Sequence, residues 1–181
     1  MYCKETIEPV LTRAKLICGV LRAAGYDAHI IGGALRVLAV GGTTSDVDIA
    51  VLGTQRESAL LDADLRILFK TVQFKLQHTQ TYSSRCGFIA DWRSGDINVI
   101  CYDTARYDTI DELVLGFDYN FNMWLLTDQG TLRNPFSADK TTVVLNTNIA
   151  TQHNLDKVKF ERTPKFKAML NHLDWSTVND H

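Results

Sequence analysis

No stretch of these 181 residues is apolar over the roughly 18 positions that a membrane-crossing helix needs, so no membrane span is expected. The N-terminus interleaves charges with apolar residues in "MYCKETIEPVLTRAKLICGVLRAA", a pattern unlike a signal peptide or an anchor. Proline is scarce, and no linker, repeat or low-complexity run divides the chain, so one domain over 1–181 is expected. The four cysteines (Cys3, Cys18, Cys86, Cys101) form neither a C-x-x-C pair nor a disulfide framework, which points to reduced thiols and a cytoplasmic setting. The histidines lack zinc-ligand spacing. A one-signed charge excess is missing too. The net charge of −2 excludes a protein-wide basic field for gripping long nucleic acid, while leaving room for a local patch. It leaves the oligomeric state open.

What is present suits a folded domain, with 45% hydrophobic residues to build a core. Ile7, Leu11, Ala14, Cys18 and Leu21 recur at helical spacing, predicting an amphipathic helix over 5–24. A strand over 27–32, a short helix over 33–40 and a strand over 46–52 follow. Thr54 and Glu57 have the spacing of a capping box, which starts a helix over about 55–70. Leu61, Leu65, Leu68 and Val72 are expected on its inward face. Strands are read at 71–78, 86–92 and 95–102, then a short helix in "RYDTIDELV". Two strands flank the turn at Asp128-Gln129-Gly130. Thr163-Pro164 reads as a helix start, with proline at the first helical position, for a helix over about 164–173. The fold class is α+β: a mixed sheet flanked by helices.

The informative stretch is "IIGGALRVLAVGGTTSDVDIAVLG". A strand has period two, so Asp46 and Asp48 project from one face while Val47, Ile49 and Val51 point into packing. Two carboxylates about 7 Å apart on a strand repel unless something positive joins them. A divalent ion that takes few protein oxygens and completes its shell with water and phosphate would do so. The tripeptide alone means little, because 16 aspartates give about one D-x-D by chance. A second one, at Asp62 and Asp64, falls on a helix, where residues two apart diverge.

Three neighbours raise the first pair above chance. Gly32-Gly33 end an apolar run and open a helix, where backbone approaches a phosphate closely and N–H groups favour anions. Arg36 follows one turn later. In "SGDINVICYD" the alternation puts Asp96, Asn98 and Ile100 on one face, so Asp96 is the expected third carboxylate of a two-ion site.

This assembly resembles the DNA polymerase β-type nucleotidyltransferase superfamily, most closely the catalytic head of CCA-adding enzymes and bacterial poly(A) polymerases. "GYDAHIIGGALRVLAVGGTTSDVDIAVLG" reproduces the family's Gly-Gly, arginine and D-x-D order. "FDYNFNMWLLTDQGTLRNPF" is similar to its Arg-Arg-Asp-Phe-Thr-x-Asn stretch, with Asp118 and Asn122 at the aspartate and asparagine. The likeness covers about 24–136, the expected catalytic core. Val37 departs from the family's aspartate, and Gly116-Phe117 stand where it has two arginines. Neither its Glu-Asp-x-x-Arg helix nor its C-terminal tRNA-holding domains are evident. A basic helical segment over about 155–173, carrying Lys157, Lys159, Arg162, Lys165 and Lys167, offers replacement phosphate or RNA contacts or else a solvated helix face.

The resemblance implies transfer of a nucleoside monophosphate from a nucleoside triphosphate to an acceptor hydroxyl, with Mg²⁺ or Mn²⁺ on Asp46, Asp48 and Asp96. It implies nucleotide contacts from Gly32, Gly33, Arg36, Asp118 and Asn122, and an RNA or tRNA 3′ end as acceptor. Alternatives are a small-molecule (antibiotic-type) or protein nucleotidyltransferase, or an inactive relative that only binds nucleotide or RNA.

Overall fold

The computed structural model describes residues 1–70, 75–78, 87–147 and 152–178. Helix α1 (Glu8–Ala23) starts at Glu8 rather than at residue 5, because a turn at Cys3, whose carbonyl accepts the Ile7 N–H, precedes it. It buries the expected stripe of Ile7, Leu11, Ala14, Cys18 and Leu21. Strand β1 (Asp27–Ile31) ends at Gly32, whose φ of 79° favours glycine, and α2 (Gly33–Val40) begins at once. Next come β2 (Val47–Gly53) and α3 (Gln55–Leu68), the latter entered through the reciprocal Thr54–Glu57 capping box. Leu61 and Leu65 face inward as expected. Leu68 does not: the helix ends there and Phe69 takes the inward place. Val72 lies outside the described residues, as do Cys86 and part of the strand read at 71–78.

Strands β3 (Lys75–His78), β4 (Phe88–Ser94) and β5 (Ile97–Asp103) follow, with β4 and β5 joined through Gly95 at φ 58°. That turn places both strands two residues later than the alternation predicts. After α4 (Ile110–Leu115) and a 3₁₀ turn at Asn120–Asn122 come two short strands, β6 (Leu125–Leu126) and β7 (Leu132–Arg133). The sheet has seven strands in the order β3-β4-β5-β2-β1-β6-β7. Among the described strands only β2 and β5 run parallel; the other pairs are antiparallel.

The two faces of the sheet differ. Ile30, Ile49, Val51, Val99 and Cys101 join α1 and α3 in the largest core. Full burial of each such aliphatic side chain is worth about 1.5–3 kcal/mol. On the other face, Ile31, Ala50, Leu52 and Leu125 pack with Leu113 and Val114 of α4. The C-terminal residues form a third cluster around Tyr119, Phe121 and Phe166, with the Tyr119 and Phe121 rings stacked at 4.8 Å.

The helix expected from 164 is instead a continuous run: α5 (Gln152–Lys157), a π-helical segment (Val158–Arg162) and α6 (Thr163–Met169). Thr163 is helical rather than a cap, and its hydroxyl bonds the Val158 carbonyl and meets the Tyr119 hydroxyl. Pro164 lacks an N–H and its ring would crowd an α-turn; the wider π turns just before it accommodate both defects. Among the described residues no helix is long and apolar enough to cross a membrane.

The capping box is a separable test of this local reading. Thr54→Ala removes both the side-chain acceptor for the Glu57 N–H and a Glu57 carboxylate contact. We expect a loss of about 1 kcal/mol in chemical unfolding, hence roughly 2–4 °C in Tm for a chain of this size.

Candidate active site

Asp46 stands one residue before β2 and Asp48 within it, while Val47 and Ile49 are fully buried on the opposite face. Strand pairing sets Asp48 beside Asn98 of β5 and Asn98 beside Arg93 of β4, a row of three polar residues across the sheet. The Asn98 Nδ2 donates to both aspartates, at 3.2 Å to Asp46 Oδ2 and 2.9 Å to Asp48 Oδ1. Arg93 Nη2 lies 3.9 Å from Asp46 Oδ2. Burial pushes the Asp48 carboxyl up to about 6; the Asn98 hydrogen bond lowers it, the Asp46 charge raises it and Arg93 lowers it. A desolvated carboxylate with a second beside it is short of positive charge, and a divalent ion fits that deficit.

Gly32 and Gly33 bring backbone close to these groups. A Cβ on Gly32 would lie 3.8 Å from Asp48 Oδ2, and one on Gly33 would come within 3.3 Å of Thr44 Oγ1 and 3.4 Å of Arg36 Nη2. Arg36 is only 4% exposed. Its Nη2 donates to the Thr43 carbonyl at 3.0 Å, and its guanidinium lies 5.3 Å from the Phe166 ring centre. The Nε is buried without a hydrogen-bond partner among the described residues. Burial, with Arg162 nearby, lowers the Arg36 guanidinium to about 10.

The C-terminal helical run supplies further cations. Arg162 pairs with buried Asp118 at 2.5 Å and lies 5.4 Å from the Phe166 ring centre, so two guanidiniums share one ring. Asp118 also accepts hydrogen bonds from the Tyr119 N–H and the Asn122 amide, each at 3.0 Å.

A single cavity of about 730 Å³ is lined by Gly32, Gly33, Arg36, Asp46, Asp48, Asp118, Asn122, Arg162 and Lys165. Nine of the ten residues singled out from sequence thus meet in one place, although they are spread over more than a hundred positions. Lys157 joins Arg162 and Lys165 there, whereas Lys167 lies over the Trp175 ring. Gly116 and Phe117 line the same cavity where the resemblance would put arginines, so its basic groups come from the C-terminal run instead.

Asp96 is the exception. It belongs to the turn before β5, and its carboxylate accepts the Tyr2 hydroxyl at 2.5 Å. It does not line the cavity, and among the described residues no group of three His, Cys, Asp or Glu side chains could hold a metal. Asn98, two residues on, takes the place beside the pair. The alternation puts both on one face; only the strand register distinguishes them. Phe166 and Met169 also line the cavity without having been singled out for it. Their sole sequence signal is the basic run they sit in.

Solved structures of nucleotidyltransferases share this fold. One is a tRNA nucleotidyltransferase complexed with a primer tRNA and an incoming ATP analogue, with TM-score 0.60 and 18% identity over 89% of this chain and 47% of that one. Another is the Thermotoga maritima CCA-adding enzyme complexed with tRNA, with TM-score 0.62 and 15% identity over 93% of this chain and 40% of that one. Among curated proteins the chain is similar to the CCA-adding enzyme of Geobacillus kaustophilus (strain HTA426), at 25% identity over 140 residues. That match covers 74% of this chain and 33% of the relative, so the chain spans about a third of it. No protein-family model matches.

The Asp48 environment sets a pH dependence. Its carboxyl holds a proton more tightly folded than unfolded, so stability falls as pH rises from about 4 to about 6 and the loss persists above. Asp48→Asn keeps an oxygen for Asn98 but cannot ionise. In metal-free buffer its Tm should exceed that of the parent by roughly 6–12 °C at about pH 7, the equivalent of about 3 kcal/mol, and come close to it near pH 4. Equal Tm values across that range would contradict the assigned burial.

Proposed function

We propose that this chain is a nucleotidyltransferase head that moves a nucleoside monophosphate from a nucleoside triphosphate to an acceptor hydroxyl, with an RNA or tRNA 3′ end as the acceptor. The observation that carries this reading is one cavity holding the Asp46–Asp48 pair, the Gly32–Gly33 helix start and the Lys157, Arg162 and Lys165 cations together. The relatives that hold primer tRNA and an ATP analogue support the acceptor and donor classes. The catalytic core is placed over about 24–136, with 155–173 as its cationic border. The free thiols of Cys3, Cys18 and Cys101 suit a cytoplasmic setting.

Asp46 and Asp48 would hold Mg²⁺ or Mn²⁺, which when bound neutralises phosphate oxygens and lowers the pKa of an attacking hydroxyl. Asn98 keeps the two carboxylates turned toward one another. Gly32 and Gly33 admit a phosphate close to backbone, and the start of α2 favours its charge. Lys157, Arg162 and Lys165 bind the triphosphate tail, replacing the arginine pair that Gly116-Phe117 lack. Asp118, steadied by the Asn122 amide, orients Arg162 and offers a carboxylate to the ribose. Positioning and electrostatics carry most of the acceleration in such transfers.

A labelled-nucleotide transfer assay against total RNA, with Mg²⁺ or Mn²⁺, tests the reading. The parent should label RNA and Asp46→Ala/Asp48→Ala should not. Lys157→Ala/Lys165→Ala should raise KM for the nucleotide about tenfold, equivalent to about 1.4 kcal/mol. Labelling of aminoglycosides or protein but not RNA would replace the acceptor. Binding of nucleotide with no labelling of any acceptor would reject the transferase.

A further inference from the structure

We propose that Asn98 occupies the place of a third carboxylate in the ion site, so that the site takes up its divalent ion together with the nucleotide rather than before it. This inference rests on the transferase reading and deepens it. The register sets Asn98 directly beside Asp48, and its one amide nitrogen donates to a carboxylate oxygen of each aspartate. A carboxylate there would add both a negative charge and an oxygen ligand. The amide adds no charge, and its N–H groups already engage one oxygen on each neighbour.

The surroundings push the same way. Arg93, next to Asn98 across the β4–β5 pair, offsets part of the Asp46 charge from 3.9 Å. Asp96, in the turn that leads into this strand, accepts the Tyr2 hydroxyl instead. The free site therefore presents two carboxylates, one of them offset. Affinity for hard divalent ions follows the number of charged oxygens, and Mg²⁺ readily draws missing ligands from substrate phosphates. The same cavity holds groups suited to a triphosphate: Lys157, Arg162, Lys165 and Arg36, whose buried Nε has no hydrogen-bond partner among the described residues. A triphosphate would bring the oxygens that Asn98 withholds. Asn98 thus acts through the two aspartates, as a positioning residue.

Calorimetric titration of Mn²⁺ into the full chain, with and without a non-hydrolysable ATP analogue, tests this on the parent, Asn98→Asp and Asn98→Ala. For the parent, Mn²⁺ should bind at least about tenfold more tightly with the analogue present. Asn98→Asp should bind Mn²⁺ without nucleotide at least about tenfold more tightly than the parent. It should also show a lower Tm in metal-free buffer that Mn²⁺ restores, a crossing that loss of packing would not produce. Asn98→Ala should weaken Mn²⁺ binding in the analogue's presence roughly tenfold. If Asn98→Asp does not fold, the parent's two titrations and the alanine variant decide. Unchanged Mn²⁺ affinity in Asn98→Asp, or equal affinity in the parent with and without analogue, overturns the inference. The first result with RNA labelling intact overturns it alone. Tighter Mn²⁺ binding by Asn98→Asp with no nucleotide bound by any variant overturns both the transferase reading and the coupling of ion to nucleotide, leaving only the placement of Asn98 beside the ion.

Discussion

The parallel pairing of β2 with β5 is the contact on which the rest of this molecule depends. It lies near the middle of the sheet and sets Val47 to Gly53 against Ile97 to Asp103 residue for residue. Ile49, Val51, Val99 and Cys101 thereby meet on one face and drive burial against α1 and α3. The same register turns Asp48 and Asn98 to the other face, side by side. A slip of one residue would exchange the two faces, turning Ile49 and Val51 away from α1 and α3 and pointing the carboxylate into that core. The apolar packing that stabilises the sheet therefore also aims the polar groups.

Around that pairing the chain places groups that do not favour one another in the absence of a ligand. Asp48 is held where burial raises its carboxyl to about 6. Arg36 is buried with an unpartnered Nε, and Arg36 and Arg162 face one Phe166 ring. Purely structural packing would replace such groups with apolar ones at little loss. Their convergence on one cavity, negative and positive together, suits a metal–phosphate ligand that satisfies both signs at once. The C-terminal run is integral to this arrangement. Its π turns accommodate Pro164 while the helix continues, so Lys157, Arg162 and Lys165 of one helical run all reach the cavity.

Much of this was legible from the residues in order. The α1 stripe, the capping box of α3, the Gly-Gly break and the alternation of β2 and β5 are local signals, and the elements formed within a few residues of where those signals put them. The errors share a cause as well. The start of α1, the shift of β4 and β5 and the true ends of α3 and α6 depend on turns whose position alternation does not encode. Leu68 has the right spacing for the core but follows the last turn of its helix, so Phe69 replaces it.

The amino-acid sequence by itself determined the kinds of element, the presence of a carboxylate pair on a strand and the glycine-opened helix beside it, because these follow from periodicity and backbone freedom over a few residues. Tertiary structure alone decided which side chain stands next to that pair. Alternation alone puts Asp96 and Asn98 on one face, whereas in the fold Asp96 falls in the turn before β5, and the register across β2 and the hydroxyl of distant Tyr2 select the amide. It also decided that a basic run more than a hundred residues from the glycines closes the same cavity. Contacts between segments so far apart depend on how the chain returns on itself, and no local pattern specifies that path.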